Sequence, residues 1–435
     1  MTDERDTCRI CGSPALHEVL DLGNLAVADF ADDAEPLFAP LVLALCDPDK
    51  GGCAFLQLKH QAVDSSLLYT QYWYRSGTNE SMRTALADIT AAAQAAVPLE
   101  AGDIVVDIGA NDGTLLRSYQ RDDLKLVGFE PAENLQPEAS ADTDLIVPEF
   151  FNADAFSRAL GSAARARVIT SIAMFYDLER PHDFVADIAR ILAPDGLWVV
   201  QMAYLPTMLS GNNFDNICHE HVGYYSLDVM DRLVRAHGLE IRDVELNDVN
   251  GGSFRLYIQH GTHTDERWQS GGGRDRVEEL AATERALALA EADTYRKFAS
   301  RIAEIREEVR DFVESELADG KVMHIYGAST KGNTILQYFG LDHRHFPLAA
   351  ERNQDKWGLR TVATEIPMVS EEESRRADPD YYFVLPWHFR DAFLARERDY
   401  LDSGGGMIFP LPEPALVRVV DGELRETALH KESGR

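Results

Sequence analysis

The sequence predicts an α/β protein with a doubly wound parallel sheet, preceded by a small cysteine-containing module and followed by a second, smaller Rossmann-like α/β domain. From about residue 101, apolar segments such as "DIVVDIGANDGTLL" and "LKLVGFEP" alternate with helical segments, and this alternation is typical of a parallel sheet. The alternation resumes at about residue 320 with "KVMHIYGASTKGNTILQYFG". Four of the five cysteines precede both units.

The composition indicates a globular chain with more than one core. Its 435 residues are 45% hydrophobic and 26% charged, and this length favours two or three domains. The formal charge of −31 would repel a phosphate backbone, so we expect no nucleic-acid partner. The sequence shows no run of about 18 apolar residues and no signal-like N-terminus, so we expect a cytoplasmic protein without a membrane partner.

Periodicity and composition divide the chain into six segments. Residues 274–318 contain no Gly or Pro and carry apolar residues at helical spacing, which predicts one long or two medium connecting helices. The predicted order is a cysteine module (1–60), a helical connector with an aromatic cluster (61–100), a doubly wound domain (101–270), a helical connector (271–319), a Rossmann-like domain (320–425) and a tail (426–435).

The clustered cysteines predict one structural zinc site. Cys8 and Cys11 lie in a Cys-x-x-Cys-Gly turn, and Cys46 and Cys53 flank a second turn that is rich in Pro and Gly. Thiolates paired at two such turns suit tetrahedral Zn²⁺, and four of them leave no coordination position open. The alternative is a set of four unligated, partly buried thiols.

The segment "VVDIGANDGTLL" predicts a cofactor-binding turn. A dinucleotide site would need Gly-x-Gly-x-x-Gly to hold a pyrophosphate, and here Asn111 and Asp112 interrupt that pattern and add negative charge. The segment instead resembles motif I of class I S-adenosylmethionine (SAM) methyltransferases, which implies a class I methyltransferase sheet; a plain structural turn is the alternative. The acidic residue that ends the next strand can bind both ribose hydroxyls. The predicted cofactor residues are Asp107, Gly109, Asn111, Asp112, Gly113 and Glu130.

A second glycine turn, "GASTKGNTIL", begins the C-terminal domain. It is not a P-loop, because Lys331 precedes Gly332 and no Lys-Ser/Thr pair follows that glycine. A strand-to-helix turn with one lysine can still receive a diphosphate at the helix N-terminus. A purely structural turn is the alternative.

The segment "NICHEHVGYY" has three interpretations. As a metal site it crowds Cys218, His219 and His221 into four positions, without the i, i+4 spacing of histidines that bind a metal from a helix. As a surface turn it carries no chemistry. As a proton-transfer site it offers a histidine with a neighbouring carboxylate and tyrosines, just where a doubly wound sheet opens its ligand crevice. Proton transfer is the interpretation that we favour.

Over nearly its whole length the chain resembles the sugar-nucleotide C-methyltransferases, which branch deoxysugars. The resemblance is carried by "CRICGS", "YWYRSGTNESM", "VVDIGANDGTLL", "HEHVGYYS", "NGGSFRLY", "GASTKGNTIL" and "IPMVSEEE". It implies that the second His of His-Glu-His is the base that deprotonates a carbon next to a keto group. The implied base is His221, with Glu220, Tyr224 and Tyr225 as orienting partners. Tyr72 or Tyr74 is expected to line the pocket, and Asn250, Arg255 and Lys331 are expected to bind the acceptor.

Two positions depart from the family pattern. Cys218 replaces a tyrosine before His-Glu-His, and Phe175-Tyr176-Asp177 replaces Phe-Ala-His after the third strand. The expected acceptor is a small molecule, a nucleotide-linked keto-deoxysugar, and Tyr176 and Asp177 are the next candidate bases. The alternatives are an O- or N-methyltransferase of a natural-product pathway and a non-catalytic regulatory or assembly protein that binds SAM and zinc.

Overall fold

The N-terminal module is built on two small antiparallel sheets. A computed structural model describes residues 3–27, 35–62, 68–263, 268 and 272–429 of the chain. The strands of the module are β1 (Asp3–Glu4), β2 (Leu16–Ala26), β3 (Phe38–Cys46), β4 (Leu56–Leu58) and β5 (His60–Gln61). β1 pairs with β5, whereas β2, β3 and β4 form a sheet whose fourth strand comes from residues 223–224. β3 is largely buried and ends at Cys46, so this sheet positions one of the clustered cysteines.

The central sheet contains seven strands. The strands after the module are β6 (Ile104–Ile108), β7 (Lys125–Phe129), β8 (Leu145–Val147), β9 (Ala166–Ile172), β10 (Leu192–Ala203), β11 (Gly223–Tyr224), β12 (Leu239–Asn247) and β13 (Ser253–His260). The order in the central sheet is β8-β7-β6-β9-β10-β13-β12, and β13 alone runs in the direction opposite to the other six strands, while β11 joins the N-terminal sheet. This order confirms the predicted class I methyltransferase sheet. It reverses at β6, where doubly wound sheets bind ligands.

Seven helices accompany the central sheet in the described part of the chain. They are α1 (Glu80–Ala96), α2 (Gln136–Ala139), α3 (Ala153–Leu160), α4 (Pro181–Ile191), α5 (Leu205–Ser210), α6 (Leu227–Arg235) and α7 (Gly273–Ala286). In α1 the apolar residues Leu86, Ile89 and Ala93 recur at helical spacing, and all three are buried. They pack in one apolar cluster with Val105 and Leu126, so α1 holds the aromatic residues that precede it close to the sheet.

The C-terminal domain is a second doubly wound sheet, as predicted. Its strands are β14 (Met323–Tyr326), β15 (Ala349–Glu351), β16 (Met368–Ser370), β17 (Tyr381–Val384), β18 (Gly406–Phe409), β19 (Ala415–Val420) and β20 (Glu423–Ala428). Their order is β16-β15-β14-β17-β18-β19-β20, with the last two strands antiparallel. Its helices are α8 (Ala292–Ala318), α9 (Thr330–Phe339), α10 (Glu371–Arg376), α11 (Arg390–Arg396) and α12 (Arg398–Asp402).

The C-terminal domain packs against the N-terminal module. The predicted connector consists of two helices, α7 and α8. Both α8 and α9 contact β2. Leu41 and Leu43 of β3 share one buried apolar cluster with Phe298 and Ile302 of α8. This cluster fixes the C-terminal domain beside the carboxyl edge of the central sheet.

The C-terminal end of the second sheet overlaps the predicted tail. β20 extends into the segment predicted as a tail, and residues 430–435 lie outside the described residues. The predicted domain boundaries stay predictions.

Among the described helices, none combines the length and the apolar character that a membrane span requires.

Candidate active site

A cleft of about 930 Å³ lies between the central sheet, the aromatic segment (residues 68–79) and the C-terminal domain. It opens at the end of β6, where the strand order reverses. The predicted site residues that line it are Tyr72, Tyr74, Asp107, Gly109, Asn111, Glu130, Tyr176, Asp177, Glu220, His221, Asn250 and Lys331. Five other predicted residues lie outside this lining: Asp112, Gly113, Tyr224, Tyr225 and Arg255.

Two carboxyl groups end neighbouring strands at one side of the cleft. Asp107 is buried, and its Oδ1 accepts a hydrogen bond of 2.6 Å from the Thr170 hydroxyl. Burial raises the pKa of Asp107 to about 8, with the Glu130 charge adding to the rise and the Thr170 bond opposing it. Glu130 accepts hydrogen bonds from the backbone N–H groups of Asn111 (2.7 Å) and Ala132 (2.8 Å). Burial raises the pKa of Glu130 as well.

The glycine turn between these carboxyl groups has a left-handed backbone. Gly109 and Asn111 adopt φ values of 73° and 53°. Gly113 also has positive φ, and a Cβ there would lie 2.9 Å from the carbonyl oxygen of Ala139, so this glycine permits the approach of α2. Gly113 therefore allows the turn to pack against α2 and does not line the cleft.

The side chains of Asn111 and Asp112 fasten the aromatic segment to the glycine turn. Asn111 Oδ1 accepts from the Ser76 N–H at 2.9 Å, and its Nδ2 donates to the carbonyl of Tyr74 at 3.0 Å. Asp112 Oδ2 accepts from the Gly77 N–H at 2.7 Å. The sequence analysis missed this link, although the Ser-Gly-Thr-Asn turn marks a stretch of backbone N–H groups that needs acceptors.

The aromatic segment brings three tyrosines, Tyr69, Tyr72 and Tyr74, into the cleft. Asn134 accepts from the N–H of Tyr72 and donates to its carbonyl, which fixes the backbone at that position. The rings of Tyr69 and Tyr72 lie with centroids 5.7 Å apart. Burial, followed by the charges of Glu220 and Asp177, raises the pKa of Tyr72 well above its usual value. Its phenol is therefore a neutral hydrogen-bond donor at physiological pH.

His221 lies in the loop before β11 and lines the cleft, and a hydrogen bond fixes one of its ring nitrogens. Its Nδ1 donates to the carbonyl of Asn216 at 2.8 Å, so the neutral ring keeps its lone pair on Nε2. The Tyr176 ring packs against it with centroids 4.2 Å apart. Burial, then the Lys331 charge, lowers the pKa of His221 to about 3, and the Asn216 carbonyl opposes this shift.

His219 has a different environment from that of His221. It is buried, and its Nε2 donates to the carbonyl of Ala39 in β3 at 3.1 Å. His219 thus ties the loop to the N-terminal module, and β11 extends that connection by pairing with β4. Tyr224 of β11 donates to the Asn216 carbonyl at 3.4 Å, the same oxygen that accepts from His221.

An acidic and thiol-bearing group surrounds His221. Donor atoms of Cys218, Glu220 and His221 all lie within 4.8 Å of one another. Asp177 lines the same cleft, and burial and then the Glu220 charge hold its pKa well above the usual range. Both positions that depart from the family pattern, Cys218 and Asp177, therefore meet in the cleft.

The C-terminal domain contributes a lysine to the opposite wall. Lys331 lies in the first turn of α9, and its Nζ donates to Asn216 Oδ1 at 2.5 Å. The Ser329 side chain caps α9 by accepting from the Gly332 N–H. Asn250, with φ of 56°, also lines the cleft.

Arg255 lies in the interior of the central sheet instead. Its Nε donates to Gln201 at 2.9 Å, and its guanidinium pairs with Asp88 of α1 at 2.8 Å. The structure thus places Arg255 where it joins α1 to β13, away from the cleft.

Glu351 is a second residue that the sequence analysis missed. It ends β15, and it accepts from the N–H groups of Ala328 (2.9 Å) and Asn353 (2.8 Å). Lys356 Nζ lies 3.9 Å from its carboxylate and donates to the Ala328 carbonyl at 2.7 Å. An acidic residue at the end of the second strand is the signal that identified Glu130, and the same rule would have found Glu351.

The four clustered cysteines converge in the N-terminal module. The Sγ atoms of Cys8 and Cys53 are 3.6 Å apart, those of Cys11 and Cys46 are 3.4 Å apart, and all four lie within 4.8 Å of one another. Tetrahedral Zn²⁺ with bonds of about 2.3 Å would separate its sulfur ligands by roughly 3.8 Å. The arrangement fits a closed structural zinc site.

Three family models match the chain. A zinc-binding domain matches residues 8–69, a methyltransferase domain matches residues 78–244, and a C-methyltransferase C-terminal domain matches residues 248–412. The zinc match agrees with the cysteine geometry, so the predicted zinc module is confirmed.

Known proteins resemble the chain in sequence and in structure. The C-methyltransferase NovU of Streptomyces niveus is 31% identical over 418 residues, covering 95% of this chain and 97% of the relative. A Haloferax volcanii methyltransferase complex with its Trm112 activator is 20% identical, with a TM-score of 0.33 over 42% of this chain and 95% of that chain. The magnesium protoporphyrin IX methyltransferase of Synechocystis is 13% identical, with a TM-score of 0.34 over 45% of this chain and 97% of that chain.

The relationship to NovU extends over almost the full length of both chains, and the family models cover the three parts in the same order. This chain belongs to the C-methyltransferase family and is an enzyme of that family.

Proposed function

We propose that the enzyme methylates a carbon next to the keto group of a nucleotide-linked keto-deoxysugar, with SAM as methyl donor and His221 as base. The observation that carries this proposal is the environment of His221. Its Nδ1 is fixed by the Asn216 carbonyl, which leaves the Nε2 lone pair for a substrate proton, and the ring lines the cleft between the two doubly wound sheets.

SAM would be held at the glycine turn after β6. Glu130 carries two carboxylate oxygens that each accept one backbone N–H, and each oxygen keeps acceptor capacity for a ribose hydroxyl. Asp107 and Glu130 line this end of the cleft, and a cationic ligand would favour the ionised form of Asp107, whose pKa burial raises to about 8. The left-handed backbone at Gly109 lets the ligand approach closely. When bound, SAM supplies the methyl group that the acceptor carbon takes.

The acceptor would place its diphosphate beside Lys331 and its keto sugar beside His221. Lys331 is in the first turn of a capped helix, where backbone N–H groups and the helix dipole favour anions. Asn250 faces the same cleft. The tyrosines of the aromatic segment donate hydrogen bonds as neutral phenols, which suits a keto oxygen that becomes negative during the reaction.

Proton removal follows from these positions. His221 Nε2 would take the proton, and the C–H electron pair would form an enolate. The enolate carbon would then bond to the methyl group of SAM while the methyl–sulfur bond breaks, its electron pair staying on the sulfur of the departing S-adenosylhomocysteine. Without acceptor the pKa of His221 is about 3, and the Lys331 charge is one cause. A diphosphate beside Lys331 offsets that charge, so acceptor binding raises the pKa of His221 and strengthens the base.

The test uses purified enzyme, SAM and a panel of nucleotide-linked 4-keto-deoxysugars. We expect formation of S-adenosylhomocysteine with at least one acceptor, and an NMR spectrum in which the new methyl group is bonded to carbon next to the keto group. A methyl group found on oxygen or nitrogen would refute the carbon-directed mechanism. No turnover with any keto sugar, but turnover with another carbonyl compound, would refute the proposed acceptor.

A further inference from the structure

The group around His221 has the donor set of a metal site. Cys218 and His221 are buried, Glu220 is half-buried, and their donor atoms lie within 4.8 Å of one another. All three residues line the cleft. Because His221 Nδ1 is engaged with the Asn216 carbonyl, Nε2 is the nitrogen that can serve as ligand.

The chemistry of these donors selects the ion. A thiolate and an imidazole favour borderline or soft divalent ions such as Zn²⁺ over Mg²⁺ or Ca²⁺, which prefer all-oxygen ligands. Three protein ligands are the usual number at an open zinc site, in contrast to the four thiolates of the N-terminal module. The open position would face the cleft, so this ion would exchange with solvent more readily than the structural one.

Asp177 provides an independent observation. Its Oδ1 is buried and lacks a hydrogen bond of normal geometry in the part of the chain that the structure describes, although the Tyr69 hydroxyl lies close enough to oppose the rise in the pKa of Asp177. Its carboxyl group lies beside Glu220, which places two acidic groups and a thiol around one small volume. Burial holds the pKa of the Asp177 carboxyl and of the Cys218 thiol above their usual values, and a bound cation would favour the ionised forms of both groups and would give Asp177 Oδ1 a partner, directly or through water.

We propose that Cys218, Glu220 and His221 form a second, exchangeable Zn²⁺ site, and that Zn²⁺ and the substrate proton compete for His221 Nε2. Zinc at this site inhibits the enzyme, because the occupied lone pair cannot accept a proton from carbon. The inhibitory effect rests on the proposed role of His221 as base, whereas the binding of Zn²⁺ does not.

The binding experiment measures metal stoichiometry of the full-length enzyme. After dialysis against micromolar Zn²⁺, we expect about two zinc ions per chain by elemental analysis, falling to one after a mild chelator that spares the four-thiolate site. The variants Cys218→Ser and Glu220→Gln should retain one ion under both conditions, with at least a tenfold loss of affinity at the second site. Glu304→Gln changes an exposed glutamate on α8 and should bind two ions.

Two further readouts keep the result interpretable if a variant folds poorly. Circular dichroism identifies such a variant, and Co²⁺ titration of the wild-type enzyme should then show additional thiolate-to-cobalt absorption once the four-thiolate site is filled with Zn²⁺. One zinc ion per wild-type chain, or a second ion that persists in Cys218→Ser, would overturn the site.

The kinetic experiment tests competition. Added Zn²⁺ should slow methyl transfer in the wild-type enzyme, and Cys218→Ser should need at least a tenfold higher Zn²⁺ concentration for the same inhibition. Activation by Zn²⁺ would overturn the competition. If no acceptor is ever methylated, the proposed function fails while the stoichiometry still decides the metal site.

Discussion

The two glycine turns that face the cleft share one backbone design but differ in charge. Each follows the first strand of a doubly wound sheet, and each is held by a glutamate that ends the neighbouring strand. Glu130 accepts two backbone N–H groups in the central sheet, and Glu351 accepts two in the C-terminal sheet. Lys356 lies 3.9 Å from Glu351, whereas Glu130 forms no ion pair within the described residues.

This difference assigns opposite ligands to the two turns. Within the described residues no lysine pairs with the Glu130 carboxylate, and a cation at this turn would also favour ionisation of the buried Asp107 carboxyl, so the central turn suits the proposed cationic ligand with hydroxyl groups. The C-terminal turn compensates its glutamate with Lys356 and presents Lys331 to the cleft, so it favours an anionic ligand. His221 lies between the two turns, where the two ligands would meet.

The largest effect should follow from removing the base between the turns. His221→Asn keeps a side-chain donor for the Asn216 carbonyl but removes the Nε2 lone pair. General-base catalysis typically contributes about 10²–10⁴-fold, so turnover should fall by this factor while SAM affinity in calorimetry stays unchanged. His219→Asn is the matched variant, and it should act mainly through stability, because His219 bonds to Ala39. Equal losses of turnover in two well-folded variants would contradict this assignment.

A paired substitution tests the difference between the two glutamates. Glu130→Gln and Glu351→Gln each remove one acceptor from an equivalent pair of backbone hydrogen bonds, so their structural cost should be similar. Glu130→Gln should also weaken SAM binding by about 1.5–3 kcal/mol, roughly 10–150-fold, the range for hydrogen bonds to a charged group.

Calorimetry with SAM separates the two glutamate variants, and Glu351→Gln should keep near wild-type affinity. If both variants lose the same SAM affinity, the loss reflects damage to the fold, and the two turns do not differ in the proposed way.

Lys331→Ala should affect the acceptor and leave SAM binding unchanged. Loss of one charged contact should raise KM for the nucleotide-linked acceptor by roughly tenfold, or about 1.5 kcal/mol. Lys297→Ala, an exposed lysine on α8, is the control and should leave KM unaltered. An unchanged KM in Lys331→Ala would show that the second glycine turn has a purely structural role.

Lys331→Ala should also change the pH dependence of kcat/KM. The Lys331 charge disfavours the imidazolium form, so its removal should raise the pKa of His221 in the free enzyme from about 3. The base is lost as pH falls through that pKa, and the acid limb of the profile of kcat/KM should therefore move to higher pH in Lys331→Ala. An acid limb that moves to lower pH would contradict the electrostatic argument.

The smallest effect concerns the link between the central turn and the aromatic segment. Asp112→Asn cannot accept from both the Gly77 and Thr114 N–H groups, so the segment that carries Tyr72 should loosen. We expect KM for the acceptor to rise about two- to tenfold. Asp122→Asn is an exposed control. A fall in SAM affinity without a change in KM would instead support direct contact of Asp112 with the cofactor.

The sequence predicted the features that depend on local pattern. Alternating strands and helices identified both doubly wound sheets, and the spacing of the cysteines identified the zinc module. An acidic strand end and a His-Glu-His run, both visible in the sequence, predicted Glu130 and His221 as site residues, and both line the cleft. The choice of His221 over His219 came from the family resemblance.

The remaining features depend on contacts between distant segments. No local pattern indicates that Asp112 turns towards Gly77, that Arg255 pairs with Asp88, or that β11 joins the sheet of the N-terminal module. Side-chain direction at a turn is set by the partner that supplies a donor or an acceptor, and here that partner lies far away in the sequence. For the same reason, the approach of Asp177 to Glu220 became apparent only in the structure.

The most direct test of the account is hydrogen exchange at the acceptor carbon. The wild-type enzyme is incubated in deuterated water with a nucleotide-linked 4-keto-deoxysugar and without SAM, and deuterium at the carbon next to the keto group is followed by NMR. We predict that wild-type enzyme incorporates deuterium there at least a hundredfold faster than His221→Asn, in agreement with the lower limit for a general base. Equal exchange rates in the two enzymes would show that the base is another residue, and the account of the cleft would be wrong.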